Sequence, residues 1–70
     1  MHTVELLEQA LTLAQQRGFQ IRHEWLGGSG GGACELRGQK ILLIDLALSY
    51  VEQLELVREA LREGGKQSAA

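Results

Sequence analysis

Apolar residues recur along this chain in two rhythms, and the rhythms divide it into five segments. Between Val4 and Arg17, the residues Val4, Leu7, Leu11 and Ala14 return every three or four positions, widened by Leu6, Ala10 and Leu13. That is the stripe of an amphipathic helix. Thr3 can cap its start through a hydroxyl that accepts from a free backbone N–H, and Glu5 and Glu8 suit its positive end. Arg17-Gly18 reads as the stop, a cation at the carbonyl end followed by a residue that tolerates a left-handed turn. From Phe19 to Leu26 the period drops to two: Phe19, Ile21, His23 and Trp25 alternate with Gln20, Arg22 and Glu24, the pattern of a half-buried strand.

Two further strands follow a glycine-rich connection. Ala33–Arg37 sets Cys34 and Leu36 on one face and Glu35 and Arg37 on the other, and Lys40–Leu46 is apolar at nearly every position. Gly38-Gln39 between them fits a two-residue type II′ hairpin turn, which places Leu36 opposite Ile41 and Cys34 opposite Leu43. One sheet face then carries Phe19, Ile21, Trp25, Cys34, Leu36, Ile41 and Leu43 and is expected beneath the helices. The last segment opens with Ser49-Tyr50-Val51-Glu52, a capping box. It continues with Tyr50, Leu54, Val57 and Leu61 on one helical face, Val51 beside them, and is expected to end at Gly64-Gly65. The fold class is α+β, in the order α-β-β-β-α, with a three-stranded antiparallel meander and both helices on one face. A single domain is expected over residues 1–65, with 66–70 as a flexible tail.

The third strand raises a packing problem. Leu42, Ile44 and Leu46 put apolar side chains on the face away from the helices, and a strand apolar on both sides is normally covered on both. A chain of 70 residues buries only roughly 60% of its unfolded surface, and one core of this size supplies about 3–5 kcal/mol. With a single cysteine there is no internal disulfide to help. An interface over Leu42 and Ile44, with Leu26 at its margin, is therefore expected to be shared with a second copy or another protein. A tight fold with Leu26 and Ala33 as neighbours is the other resolution.

Charge narrows the partners. Seven basic and nine acidic residues leave a net charge of −2, spread without blocks, which argues against nucleic acid as a partner. No apolar run approaches the ~20 residues that span a bilayer, and no basic segment followed by an apolar one marks a signal peptide. The expectation is a cytoplasmic chain with a reduced thiol, no membrane association and no cofactor.

Candidate chemistry centres on the connection Gly27-Gly28-Ser29-Gly30-Gly31-Gly32-Ala33-Cys34, which holds five of the nine glycines. Such density means either positive φ angles or a close approach to bare backbone. Glycine-rich turns can bind anions through their N–H groups. A Walker loop, however, needs Gly-Lys-Ser/Thr and a following helix, and here a strand follows with no lysine. A ligand site would use Gly28, Gly30, Gly31, Cys34 and His23; the simpler reading is a bulged strand connection. Cys34 as nucleophile would need His23 within hydrogen-bond reach, whereas a free cysteine is most often a small buried apolar residue. His23, Cys34 and Asp45 are acceptable metal ligands at spacings that match no compact zinc pattern, so no metal site and no catalytic residue are assigned. Asp45 reads as a polar stop or an acceptor for loop N–H groups, with a catalytic carboxylate as the sharper alternative. Trp25 and Tyr50 could stack a ligand, but in a small protein they more often serve as large apolar payload.

The stretch from Gly18 to Glu63, strands ending in an Ile/Leu-rich segment with Asp and then a helix entered through Ser and Glu, resembles the small core of the ImmA/IrrE-type zinc peptidases. In that family the second helix carries His-Glu-x-x-His. The matching stretch here is Arg58-Glu59-Ala60-Leu61-Arg62, with the Glu present and arginine, which cannot ligate a metal, at both histidine positions. The resemblance implies a degenerate zinc-peptidase-like regulator without peptidase chemistry. The chain is also similar to small bacterial proteins whose strands are joined by a Gly-Gly-x-Gly-Gly type connection running into a cysteine. Together these observations point to a non-enzymatic, homodimeric protein-interaction module, with a small-ligand, anion or thiol-dependent site at the glycine-rich loop as the alternative.

Overall fold

The computed structural model describes residues 2–66; of the tail expected over 66–70, Lys66 belongs to the last helix and 67–70 lie outside the described residues. Two helices and three strands follow one another as α1 (Thr3–Gln16), β1 (Phe19–Glu24), β2 (Gly31–Leu36), β3 (Gln39–Asp45) and α2 (Tyr50–Lys66). The class is α+β.

The sheet is mixed, not an antiparallel meander. Its spatial order is β1-β3-β2, with β1 parallel to β3 and β2 antiparallel to β3. The cause lies in β3 itself. Ile41, Leu42, Leu43 and Ile44 form a continuous apolar run, which fits a central strand with neighbours on either side, whereas the alternating β1 and β2 suit edges. The connection from Trp25 to Gly30 is long enough to carry the chain past the end of β3 and set β2 on its far side.

Parallel pairing reverses the expected face of β3. Phe19, Ile21 and His23 stand beside Lys40, Leu42 and Ile44, so Leu42 and Ile44 lie under the helices. The open face carries Gln20, Arg22, Glu24, Ile41, Leu43, Cys34 and Leu36. The core joins Leu7 and Ala14 of α1 with Phe19, Leu42 and Ile44 of the sheet and Leu54, Val57 and Ala60 of α2. Leu42 and Ile44 are fully buried, so the interface expected over them is corrected: this chain's own helices cover them. On the other side Ile41 is only 9% exposed and Leu43 half-buried.

Local signals decided the ends of the elements. The hairpin turns at Arg37-Gly38, where both residues have positive φ (54° and 82°), as type I′ requires. The expected Gly38-Gln39 turn is displaced, and the register becomes Leu36 with Gln39 and Cys34 with Ile41. The shift is by two residues, so the same side chains stay together on one face. Helix α2 begins as expected: the Ser49 N–H donates to Glu52 Oε1 at 2.9 Å and the Glu52 N–H to Ser49 Oγ at 3.2 Å. It runs through Gly64-Gly65 to Lys66 instead of ending there, and Tyr50 stays exposed while Gln53 and Ala60 join the buried stripe. At α1 the cap position falls on His2, whose ring approaches Glu5 Oε1 at 3.1 Å, and not on Thr3. Gly18 closes that helix with its N–H on the Gln15 carbonyl at 3.0 Å.

Candidate functional site

The ends of β1 and β3 lie side by side, with Glu24 paired to Asp45, and the glycine-rich connection crosses just beyond them. Asp45 is fully buried there. Its Oδ1 accepts the N–H of Ala47 at 2.9 Å and of Leu26 at 3.0 Å. Its Oδ2 accepts the N–H of Gly28 at 2.7 Å and of Gly30 at 3.1 Å. Four backbone donors thus converge on one carboxylate. The Ala47 N–H most of all, with those of Leu26, Gly30 and Gly28, holds the Asp45 pKa below its ordinary value, against the opposing effect of burial. Ser29 completes the loop by donating its hydroxyl to the Leu26 carbonyl at 3.0 Å.

This cradle accounts for the glycines singled out as ligand-binding. The amides of Gly28 and Gly30 do point to a common centre, and the chain's own Asp45 occupies it. Gly31 opens β2 against the backbone of β3, where a Cβ would run into the Leu43 carbonyl oxygen. Its bareness serves packing. Of the readings open to Asp45 from the sequence, the structure shows the acceptor for loop N–H groups.

Cys34 and His23 are not brought together. Cys34 is exposed on β2 beside Ile41, and His23 is exposed on β1 beside Ile44. They point to opposite faces and are separated by the whole of β3, about two strand spacings of ~4.8 Å. The expectation that they share a face rested on β1 and β2 being neighbours. Among the described residues no group of three or more His, Cys, Asp or Glu side chains could hold a metal ion. Arg58, Glu59 and Arg62 lie on the exposed side of α2, with Ala60 turned into the core. Leu26 is half-buried in the crossing loop.

What remains uncovered is apolar surface and sheet edge. Trp25 is 75% exposed and Leu36 60% exposed, with Val4, Leu6, Leu13, Tyr50 and Val51 also open to solvent. Among the described residues both β1 and β2 are edge strands, each paired on one side only. Among the described residues no helix is long and apolar enough to cross a membrane. Comparison with protein-family models, with curated proteins and with solved structures finds no match to this chain.

Proposed function

We propose that this chain is a small cytoplasmic interaction module that works by self-association and not by catalysis. One observation carries the reading: Trp25, the chain's one tryptophan, follows directly on the edge strand β1 and is 75% exposed. Singly exposed leucines need no explanation, but tryptophan is among the residues most enriched where proteins meet. The surface differs from the one the sequence suggested, since Leu42 and Ile44 are occupied within the protomer. Sedimentation equilibrium tests the proposal. A dimer at micromolar concentration is expected; a monomer at every concentration overturns it.

The exposure of Cys34 favours a thiol-dependent site as the second reading. Rapid modification of Cys34 near neutral pH, and loss of a bound small molecule on Cys34→Ser, would support that site over self-association. Stoichiometric zinc binding in a metal titration would overturn the reading as a degenerate peptidase-like regulator.

A further inference from the structure

The free edge of β1 is self-complementary in a way the free edge of β2 is not. The Glu24 carbonyl accepts the Leu46 N–H at 2.8 Å, so the backbone groups of Glu24 face β3. By the alternation of a strand, those of Gln20 and Arg22 do the same, while Ile21 and His23 direct their N–H and C=O groups out of the sheet. Side chains alternate across the other axis: Arg22 and Glu24 lie on the open face, and Ile21 and His23 on the helix side. Arg22 and Glu24 already form an ion pair at 3.0 Å, each about half exposed.

Resting on the self-association reading, we propose that two copies join through their β1 edges, antiparallel about a two-fold axis at His23, forming one six-stranded sheet. In that register His23 meets the partner's His23 as a hydrogen-bonded pair, the outward N–H and C=O of each serving the other. Arg22 stands opposite the partner's Glu24 and Glu24 opposite the partner's Arg22, both on the open face, where opposite charges directly across a strand pair attract. Ile21 stands opposite the partner's Trp25, which gives the exposed indole an apolar neighbour. The symmetry is isologous, each contact occurring twice, and the assembly closes at two copies. The helix layer agrees. Helix α1 lies over β1 and packs along α2, so its other flank overhangs this edge. Val4 on one flank, and Leu6 and Leu13 on the other, are exposed, so either flank brings at least one apolar side chain to this edge. Within β2 Glu35 is the one charged residue, so a symmetric pairing confined to that strand sets no opposite charge across its axis.

The test uses the full chain and four variants, each checked for folding by circular dichroism. His23→Pro removes the outward N–H while sparing the β1–β3 ladder, because proline is tolerated where an edge N–H faces solvent; it is expected to be a folded monomer. Arg22→Glu and Glu24→Arg each create two like-charge contacts across the axis and are expected to weaken association by about tenfold or more. The double variant R22E/E24R restores the opposition and is expected to recover dimerisation. Should His23→Pro fail to fold, the charge exchange decides alone. A dimer indifferent to the charge reversals overturns the β1 edge while leaving self-association standing. A wild-type chain that never dimerises removes both.

Discussion

At the scale of single residues, Asp45 holds the turn between strands in place. Its carboxylate is the shared acceptor of four N–H groups from two segments, Leu26–Gly30 and Ala47. Asp45→Asn keeps the shape but offers one oxygen and an amide whose own hydrogens face the loop donors, leaving part of the cradle unsatisfied. The expected result is a lower thermal midpoint, with faster hydrogen exchange at Leu26, Gly28 and Gly30 than in the wild type; exchange unchanged at those amides would contradict the cradle. Acid should act on the same group. Because the folded pKa lies below the unfolded one, the contribution of Asp45 is complete above the unfolded-chain value of about 3.9. It is lost as pH falls from there through the folded pKa. Acid titration of stability in wild type and Asp45→Asn should therefore converge at the low-pH end and separate above it. Gly31 gives the companion case. Gly31→Ala meets the Leu43 carbonyl from a backbone at φ 86° and is expected to prevent stable folding. Gly27→Ala, with open space around it, is strained only by its φ and should cost about 1 kcal/mol. Chemical denaturation of the two variants separates close packing from conformational strain.

At the scale of elements, the central strand explains both what could be read from the chain and what could not. The helices announced themselves because their apolar stripes and the Ser49–Glu52 box are local signals, and local signals survive any topology. The order of the strands is not local. The Ile41–Ile44 run was visible as apolar on both faces, but that pattern fits a strand exposed to a partner as well as one flanked by two neighbours. Only the crossing loop, whose length and Asp45 anchor carry β2 past β3, separates these. A sheet ordered β1-β2-β3 joins Phe19, Ile21 and His23 to the face of Cys34 and Ile41, whereas the parallel β1–β3 register joins them to Leu42 and Ile44. Leu42 tests the corrected face. Leu42→Ala removes buried volume in the single core and should destabilise by about 2–5 kcal/mol, measured by urea unfolding. A loss of oligomer without loss of stability would instead restore Leu42 to an interface. The hairpin offers a gain. Arg37 holds φ 54° in a turn type that favours Asn-Gly, and a left-handed conformation costs an ordinary side chain roughly 1–2 kcal/mol. Arg37→Asn should raise stability by about 1 kcal/mol, and a loss would mean that the Arg37 side chain contributes something its exposure does not suggest.

At the scale of the molecule, stability and assembly are linked. A chain this small has little burial to spare, and a partner that binds only the folded state adds stability in proportion to its concentration. The thermal midpoint should therefore rise as the protein is concentrated through the dissociation constant, and should become concentration-independent in His23→Pro. Trp25 reports which surface is responsible. It follows directly on β1, is 75% exposed in the protomer, and is the sole tryptophan, so its emission belongs to one environment. If the β1 edges join, the indole moves from water to a site opposite the partner's Ile21. Its emission should then shift to shorter wavelength, and its quenching by iodide should fall, over the same concentration range in which the sedimentation weight doubles. The open sheet face provides the contrast. A dimer built on Leu36, Cys34 and Leu43 would double the weight and leave Trp25 as wet as before, because those residues lie on the open face, whereas Trp25 continues the alternation of Ile21 and His23 on the helix side. Following both signals in one dilution series decides between the two surfaces, since each predicts the same mass and a different tryptophan.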